Sequence, residues 1–446
     1  MALRDFLAGL ALAGLAACSP GPAAQTVSDA PVALETAAIA APDFTPPDFT
    51  PVDNPAALGF DPAGLAALDQ QLDALAAAGA RPGYAAIIAR GNQVAFVSQA
   101  GEINLETGEA FTIDSPVRIA SMSKPVTAVA VMMLVEAGQL GLDDPVSDYI
   151  PEFGDVRVAV SPMANADGVI ETRAPLRPIT IRHLLTHTAG LGYIFESETD
   201  LGRLYLENSL YSGSGDLEAR MQQLAALPLY TDPGTRWIYS YSIDVLGRVV
   251  EVVSDMPFED FMATRLFEPL GMSSTGFFYE DVDFDEADMS PLYVHDETGA
   301  MVPFDQANPD WPSGGGGLVS TASDYIRFAM MLANDGALGE VRILSPESVH
   351  EMTAPQVPAE QLGGEWGARG FALGGAVALS PTGDQSAVGV TGDYSWSGLF
   401  DTDFFISPNT GVAAVLMTQI QPGPNRPEPR SSTMFRPLVY ASFAFD

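Results

Sequence analysis

The sequence predicts an α/β protein in which one sheet takes strands from both ends of the chain and a helical segment is inserted between them. Short apolar runs typical of strands occur near the start of the chain and again after Gly314–Gly317. Helical spacing dominates between about Ser121 and Phe267. A chain that opens and closes with strands and carries helices in its middle is typical of a sheet domain with a helical insertion.

The individual elements follow from spacing and turn residues. Asp61 and Pro62 predict the N-cap and first residue of a helix that ends near Gly79 and has one apolar face, formed by Leu65, Leu68, Leu72 and Leu75. A last helix is expected near the C-terminus. Strands are predicted at Tyr84–Ala89, Gln93–Ser98, Phe371–Leu379 and Val412–Thr418.

The composition is that of an acidic globular protein. Of the 446 residues, 47% are hydrophobic, which is enough to bury a large core. The 57 acidic and 20 basic residues give a net charge of −37, so the surface repels phosphate backbones and a nucleic-acid partner is excluded. The single cysteine, Cys18, excludes a disulfide framework and a cysteine-rich metal site. The sequence predicts neither a cofactor nor a metal.

The N-terminus predicts export. Residues 1–17 combine Arg4 with an apolar stretch that is too short to span a membrane, since spanning needs about 20 residues. Leu15-Ala16-Ala17-Cys18 resembles the lipobox of bacterial lipoproteins, in which the cysteine becomes lipidated. We expect a lipoprotein on the periplasmic face of a bacterial membrane, which it contacts only through the lipid on Cys18. The alternative is a soluble periplasmic protein released by an ordinary signal peptidase. Residues 18–57 are rich in Pro and Ala and predict an extended tether.

Lys124 is the one lysine among the 20 basic residues; the other 19 are arginines. An arginine does not lose its proton in a protein, whereas a desolvated lysine amine can, so Lys124 is a candidate acid–base group. Pro125 is tolerated only in the first turn of a helix, which places Ser121 at a helix N-terminus. Ser121 and Lys124 are three residues apart and therefore share a face. The Ser-x-x-Lys pattern alone is equally compatible with a capped helix and a surface lysine.

Five ordered sequence blocks carry a family resemblance. They are Arg118–Lys124, Ile179–Leu191, Pro233–Ser240, Pro269–Met272 and Gly314–Thr321. In these blocks the chain from about Gly59 onward resembles the class C-like branch of the serine β-lactamase and penicillin-binding protein superfamily, and within it the family VIII bacterial carboxylesterases.

The resemblance implies a fold and a domain plan. The fold is β-lactamase-like, with an antiparallel sheet flanked by helices and an inserted all-helical subdomain. The hydrolase domain is expected to span residues 58–446. Its sheet part would comprise about 58–115 and 300–446, and its helical insertion about 116–299.

The resemblance also implies catalytic roles. Ser121 is the acylated nucleophile, Lys124 its amine partner, and Tyr239 the tyrosine that relays the proton. A serine hydroxyl needs an adjacent base, and a desolvated amine beside a phenol can supply one. The N–H groups of Ser121 and Leu399 would form the oxyanion hole, in which each donor is worth about 3 kcal/mol.

Substrate contacts are implied at two further places. Trp396, Ser397 and Gly398 stand where β-lactamases carry Lys-Thr-Gly, and Tyr241 stands where the second motif often has an asparagine. The lost lysine and amide favour neutral esters. Arg369 is a candidate replacement cation that keeps anionic substrates open.

The sequence therefore predicts a serine hydrolase that cleaves small-molecule carboxylic esters through an acyl-Ser121 intermediate. The alternatives within this class are a class C-like β-lactamase and a D-amino-acid peptidase or transesterase. An alternative from another class is a non-catalytic or slowly deacylating lipoprotein that binds cell-wall peptides or β-lactams. The intact set of Ser121, Lys124 and Tyr239 argues against a pure binder, because a binder has no need of the amine.

Two other patterns favour structural roles. His183 and His187 are four residues apart, but no glutamate follows His183 to complete a zinc motif. The acidic runs Glu280–Asp288 and Asp401–Asp403 predict solvated faces, with Asp401 at the rim of the cleft.

Overall fold

The computed structural model describes residues 49–211, 215–277, 289–304, 309–363, 366–380, 390–421 and 429–444. The predicted signal segment, Cys18 and the acidic run Glu280–Asp288 lie outside the described residues. So does most of the tether. Within the described ranges, no helix is both long and apolar enough to cross a bilayer.

Strands from both ends of the chain build the main sheet. In the described residues the strands are β1 Gly83–Arg90, β2 Gln93–Asn104, β3 Glu109–Ala110, β4 Val117–Arg118, β5 Val158–Ala159, β6 Thr172–Arg173, β7 Leu292–His295, β8 Met301–Phe304, β9 Val319–Ser320, β10 Ala337–Leu338, β11 Val341–Arg342, β12 Arg369–Phe371, β13 Ala376–Ala378, β14 Tyr394–Ser397, β15 Asp403–Ser407 and β16 Val412–Met417. Eight of them form one sheet in the order β12-β13-β14-β15-β16-β1-β2-β3, and each pair in it is antiparallel. The predicted α/β class and antiparallel sheet are confirmed.

Helices cover the sheet and, together with the short strands β4–β11, occupy the sequence between its two strand groups. They are α1 Pro62–Ala77, α2 Ser123–Glu136, α3 Ile181–Leu185, α4 Asp200–Glu207, α5 Leu217–Ala225, α6 Ser242–Ser254, α7 Phe258–Met262, α8 Glu268–Leu270, α9 Ala322–Ala333, α10 Pro346–Thr353, α11 Ala359–Leu362 and α12 Ser431–Ala441. A π-helical turn, Ala263–Phe267, joins α7 to α8. The predicted boundaries of the helical insertion, at about 116 and 299, stay a prediction.

Two hydrophobic layers hold the sheet between helices. Strand β1 alternates: Tyr84, Ala86 and Ile88 pack toward α1 and α12, and the residues between them pack toward α9. Because both faces are covered, β1 is buried almost throughout its length, unlike a strand with one solvated face. On α1 the predicted apolar face is confirmed, since Leu65, Leu68 and Leu72 are buried. The Asp61 carboxylate caps this helix by accepting the Ala63 N–H at 3.1 Å.

The sequence prediction of one strand at Phe371–Leu379 is wrong. The chain turns back between β12 and β13, where the Ala372 N–H donates to the Gly375 carbonyl at 2.8 Å. Gly374 has a φ of +77°, which a residue with a side chain rarely adopts. Gly374 and Gly375 therefore form the turn of a hairpin. From its apolar residues alone, the same segment looks like one continuous strand.

The expectation of a solvated acidic face at Asp401–Asp403 is also wrong. Asp401 and Asp403 are 5% and 0% exposed, and Asp401 does not line the cleft beside Ser121. The Asp401 carboxylate pairs with Arg81 at 2.8 Å and accepts the Ser431 N–H and hydroxyl at the start of α12. Buried ion pairs are invisible to a count of charges along the sequence.

Replacing Arg81 by leucine is expected to lower the free energy of unfolding by about 3–5 kcal/mol, because Asp401 stays buried and loses its charged partner. Urea unfolding at pH 7 measures the change. The control is Arg203→Leu, which breaks the solvent-accessible ion pair with Asp200 and should cost less than about 1 kcal/mol. Similar small losses in both variants would contradict the structural role of the buried pair.

Candidate active site

Ser121 lies at the junction between the strand β4 and the helix α2. It sits in the 3₁₀ turn Ala120–Met122, immediately before Ser123 begins α2. Ala120 has a φ of +45°, an unfavourable conformation for alanine that is typical of functional sites. The Ser123 hydroxyl holds this turn by donating to the Ala120 carbonyl at 2.7 Å. The prediction that Ser121 stands at a helix N-terminus is thereby confirmed.

Lys124 is buried one turn further along. It is 0% exposed, and its Nζ donates to Ser121 Oγ at 3.2 Å and to the Gly315 carbonyl at 2.5 Å. The same nitrogen is 4.7 Å from the ring centre of Tyr239 and 5.7 Å from that of Tyr193. An ammonium removed from water needs such partners, and the aromatic faces supply further stabilisation.

Tyr239 completes the contact set around the serine. Its hydroxyl donates to Ser121 Oγ at 2.7 Å. Ser121 Oγ therefore lies between a phenol and an amine, each within hydrogen-bond reach. The structure brings together the three side chains that the sequence predicts as catalytic, although they are separated by up to 118 residues.

One group behind the lysine, the carboxylate of Asp244, was not found from the sequence. The Asp244 carboxylate accepts the Gly315 N–H at 3.0 Å and the Ser313 hydroxyl at 2.6 Å, and so fixes the loop whose carbonyl holds Lys124. Burial raises the pKa of Asp244, and the positive charge of Lys124 opposes that rise. A side chain at position 315 would collide with Asp244, so the packing requires glycine there. In the sequence, the run Gly314–Gly317 was the only feature that marked this loop.

The third motif stands at the end of β14, beside the serine. Ser121 and Leu399 line the same cleft, and within the described residues neither of their backbone N–H groups has an acceptor. Gly398 is required before Leu399, because a Cβ there would collide with Ile119 and Thr402. Two free N–H groups at one cleft are the donors that an oxyanion hole needs.

The cleft itself has a volume of about 320 Å³. Four residues that the sequence analysis proposed as substrate contacts line this cleft: Trp396, Ser397, Gly398 and Arg369. The Trp396 ring packs 5.8 Å from that of Tyr239, and the Ser397 hydroxyl donates to Asp403 at 2.7 Å. Phe195, whose exposed ring also lines the cleft, was not predicted from the sequence.

Comparison with known proteins assigns the chain to a family. The sequence matches the Beta-lactamase family over residues 68–433. The chain belongs to the β-lactamase family. The family resemblance carried by the five sequence blocks is therefore confirmed.

Several known proteins are similar over most of the chain. Protein Rv1367c of Mycobacterium tuberculosis is 36% identical over 335 residues, covering 72% of this chain and 82% of that protein. Esterase EstB of Burkholderia gladioli is 32% identical over 391 residues, covering 82% and 93%. The solved structure of EstCE1, described as a hydrolase with promiscuous acyltransferase activity, superposes with a TM-score of 0.69 at 28% identity, covering 85% and 98%.

In this β-lactamase-family chain the predicted substrate contact of Tyr241 is wrong. Tyr241 is 0% exposed and does not line the cleft. Its hydroxyl accepts the Leu210 N–H at 3.3 Å, and its ring centre is 4.4 Å from that of Tyr193. Tyr241 precedes α6 and points into the aromatic cluster behind the site, where it supports Tyr193 instead of meeting substrate.

His183 and His187, the pair with metal-ligand spacing, take structural positions. His183 Nδ1 accepts the Thr180 N–H at 3.1 Å in a capping box, and His187 Nδ1 lies 3.1 Å from the Ser240 hydroxyl. Helix α3 ends at Leu185, so the rings do not share a helix face. Within the described part of the chain no cluster of three metal-ligating side chains occurs.

His187 is expected to make stability depend on pH. Its burial and the nearby charge of Lys124 hold the pKa of the folded residue well below 6.5. The unfolded histidine binds a proton below about pH 6.5 and the folded one does not, so stability falls on acidification. Relative to His187→Asn, the wild-type free energy of unfolding should fall by about 2 kcal/mol between pH 7 and pH 5.

Urea unfolding of both proteins at pH 7, 6 and 5 measures that difference. Asparagine tolerates the φ of +53° at this position. Buried Asp324 and Asp393, with pKa values raised to about 6, titrate in both proteins and cancel. A difference that does not change with pH would mean that His187 titrates normally in the folded protein.

Proposed function

We propose that the protein hydrolyses carboxylic esters through an acyl-enzyme on Ser121. The observation that carries the proposal is the position of Ser121 Oγ, 2.7 Å from the Tyr239 hydroxyl and 3.2 Å from Lys124 Nζ. A hydroxyl between an amine and a phenol can lose its proton as it attacks a carbonyl.

Acylation uses the pair of Lys124 and Tyr239. With one of its two groups deprotonated, the pair accepts the proton of Ser121 while Oγ bonds to the ester carbon. The negative charge that develops on the carbonyl oxygen is stabilised by the N–H groups of Ser121 and Leu399. The pair then returns the proton to the departing alcohol. In the second half the same pair takes a proton from water as the water oxygen bonds to the acyl carbon, and it returns this proton to Ser121 Oγ as the bond to the serine breaks and the acid leaves.

Hydrolysis of esters is favoured over hydrolysis of β-lactams by one wall of the cleft. Trp396 lies where the lysine of β-lactamases would present a cation, and its ring makes this part of the cleft apolar. The similarity to an esterase at 32% identity also supports ester hydrolysis. The intact amine and phenol disfavour a protein that only binds, because binding alone does not require a proton acceptor beside the serine.

Three variants test the proposed roles. With p-nitrophenyl butyrate, Ser121→Ala is expected to reduce turnover to background, because no nucleophile remains. Lys124→Arg keeps the charge but cannot accept a proton, and should lower kcat about 10²–10⁴-fold. Tyr239→Phe removes one hydroxyl and should lower kcat at least about 10²-fold.

The exposed Arg157 provides the matched control, since Arg157→Gln removes one positive charge outside the cleft and should leave turnover unchanged. Nitrocefin in parallel reactions tests the β-lactamase alternative. Turnover that survives in Ser121→Ala would refute the mechanism. A stoichiometric burst without turnover would favour the slowly deacylating binder.

Transfer of the acyl group to an alcohol is a second candidate function. It is favoured by the similarity to EstCE1, which is described as a hydrolase with promiscuous acyltransferase activity. An alcohol can replace water in the second half of the mechanism without any change in the site. With p-nitrophenyl butyrate and added methanol, methyl butyrate should form alongside butyrate in proportion to the alcohol concentration. Butyrate as the sole product at every concentration would exclude transfer to methanol.

A further inference from the structure

The cleft beside Ser121 carries positive charge in a strongly acidic protein. Arg369, Arg430 and Arg436 all line it, and none of its described lining residues is acidic. The chain as a whole has a net charge of −37 and only 20 basic residues. A cleft lined by one sign of charge raises the local concentration of ligands of the opposite sign.

Arg436 does not account for this charge. Its Nε and one terminal nitrogen bond both carboxylate oxygens of Asp403, at 3.1 and 2.6 Å. Asp403 is fully buried and also accepts the hydroxyl of Ser397. Arg436 and Asp403 therefore neutralise each other and form part of the wall.

Arg369 has no such partner. It stands on the edge strand β12, where its guanidinium carbon lies 5.5 Å from the ring centre of Trp366. Among the described residues no oxygen accepts a hydrogen bond from the Arg369 side chain, although a guanidinium carries five N–H donors. Burial and the charge of Arg436 lower its pKa, and Asp403 only partly opposes this. An arginine nevertheless stays protonated.

Removing a cation partly from water costs free energy when no acceptor replaces the water. A bound substrate that carries an anionic group would offset this cost. A carboxylate fits best, because a guanidinium can bind both of its oxygens in one plane. Trp396 lines the same cleft and carries no charge, and no described carboxylate forms an ion pair with Arg369.

We propose that the preferred substrates are esters that also carry a carboxylate, and that Arg369 binds this carboxylate in the cleft. The proposal rests on the proposed ester hydrolysis, since it names the substrate class of the same site. The carboxylate can belong to the acyl chain or to the alcohol, and the experiment separates the two.

Two pairs of substrates provide the test. On the acyl side, mono-p-nitrophenyl glutarate is compared with its methyl ester. On the alcohol side, p-carboxyphenyl butyrate is compared with its methyl ester. In at least one pair the wild type should show a higher kcat/KM for the carboxylate. In Arg369→Gln that preference should fall at least about tenfold, as expected for the loss of a charge-assisted hydrogen bond. Arg369→Lys, which keeps the charge but not the planar fork, should recover part of it.

Two controls keep the test decisive. Arg157→Gln removes an exposed charge outside the cleft and should retain the wild-type preference. Raising the salt concentration should weaken the preference in the wild type itself, which tests the proposal even if Arg369→Gln does not fold. Equal kcat/KM values within both pairs, or a preference that Arg369→Gln retains, would overturn the proposal.

A binding measurement separates this proposal from the proposed function. The mono-p-nitroanilide of glutaric acid is titrated calorimetrically into the wild type and Arg369→Gln. Tighter binding to the wild type supports the carboxylate site, even if ester turnover proves independent of Ser121. Equal binding to both proteins, alongside Ser121-dependent ester turnover, refutes the carboxylate site and leaves the proposed hydrolysis intact.

Discussion

The hydrogen bond from the buried Lys124 amine to Ser121 Oγ is the contact around which the rest of the site is arranged. Holding an amine away from water costs free energy, and the fold offsets this with the Gly315 carbonyl and the ring of Tyr239. Asp244 acts indirectly: it fixes the loop that carries this carbonyl, and its carboxylate lies near the amine. The same amine helps to keep the buried His187 neutral. The charge of Lys124 therefore influences both buried titratable groups behind the serine, Asp244 and His187.

The sheet explains why these groups meet. Strands from both chain ends join in one sheet where β16 pairs with β1, and β14 of that sheet contacts the turn that carries the serine, about 275 residues earlier in the sequence. That contact brings the Leu399 N–H to the cleft of Ser121. The turn before Ser121 is strained at Ala120, and packing against the sheet and α2 holds it in place. A scaffold of this rigidity keeps a nucleophile, a proton acceptor and two N–H donors in register.

The sequence predicted those features that short segments determine. Ser121, Lys124 and Tyr239 lie in local motifs, and α1 follows from its cap and its leucine spacing, so all were found without the structure. The errors concern tertiary contacts. Tyr241 was placed against substrate although α6 turns it into the core, and Asp401 was placed at the rim although Arg81 buries it. Asp244 was missed, because nothing near it in the sequence reveals that its carboxylate binds a loop about 70 residues later.

Location of the acyl group tests the central claim most directly. The protein is mixed with p-nitrophenyl butyrate, quenched in acid within milliseconds, digested and mapped by mass spectrometry. The account predicts a butyryl group on the peptide that contains Ser121, with the fragment ions assigning it to that serine. The label should persist longer when water is partly replaced by an inert cosolvent. A butyryl group on another residue during turnover, or turnover with no covalent label at any quench time, would contradict nucleophilic catalysis by Ser121.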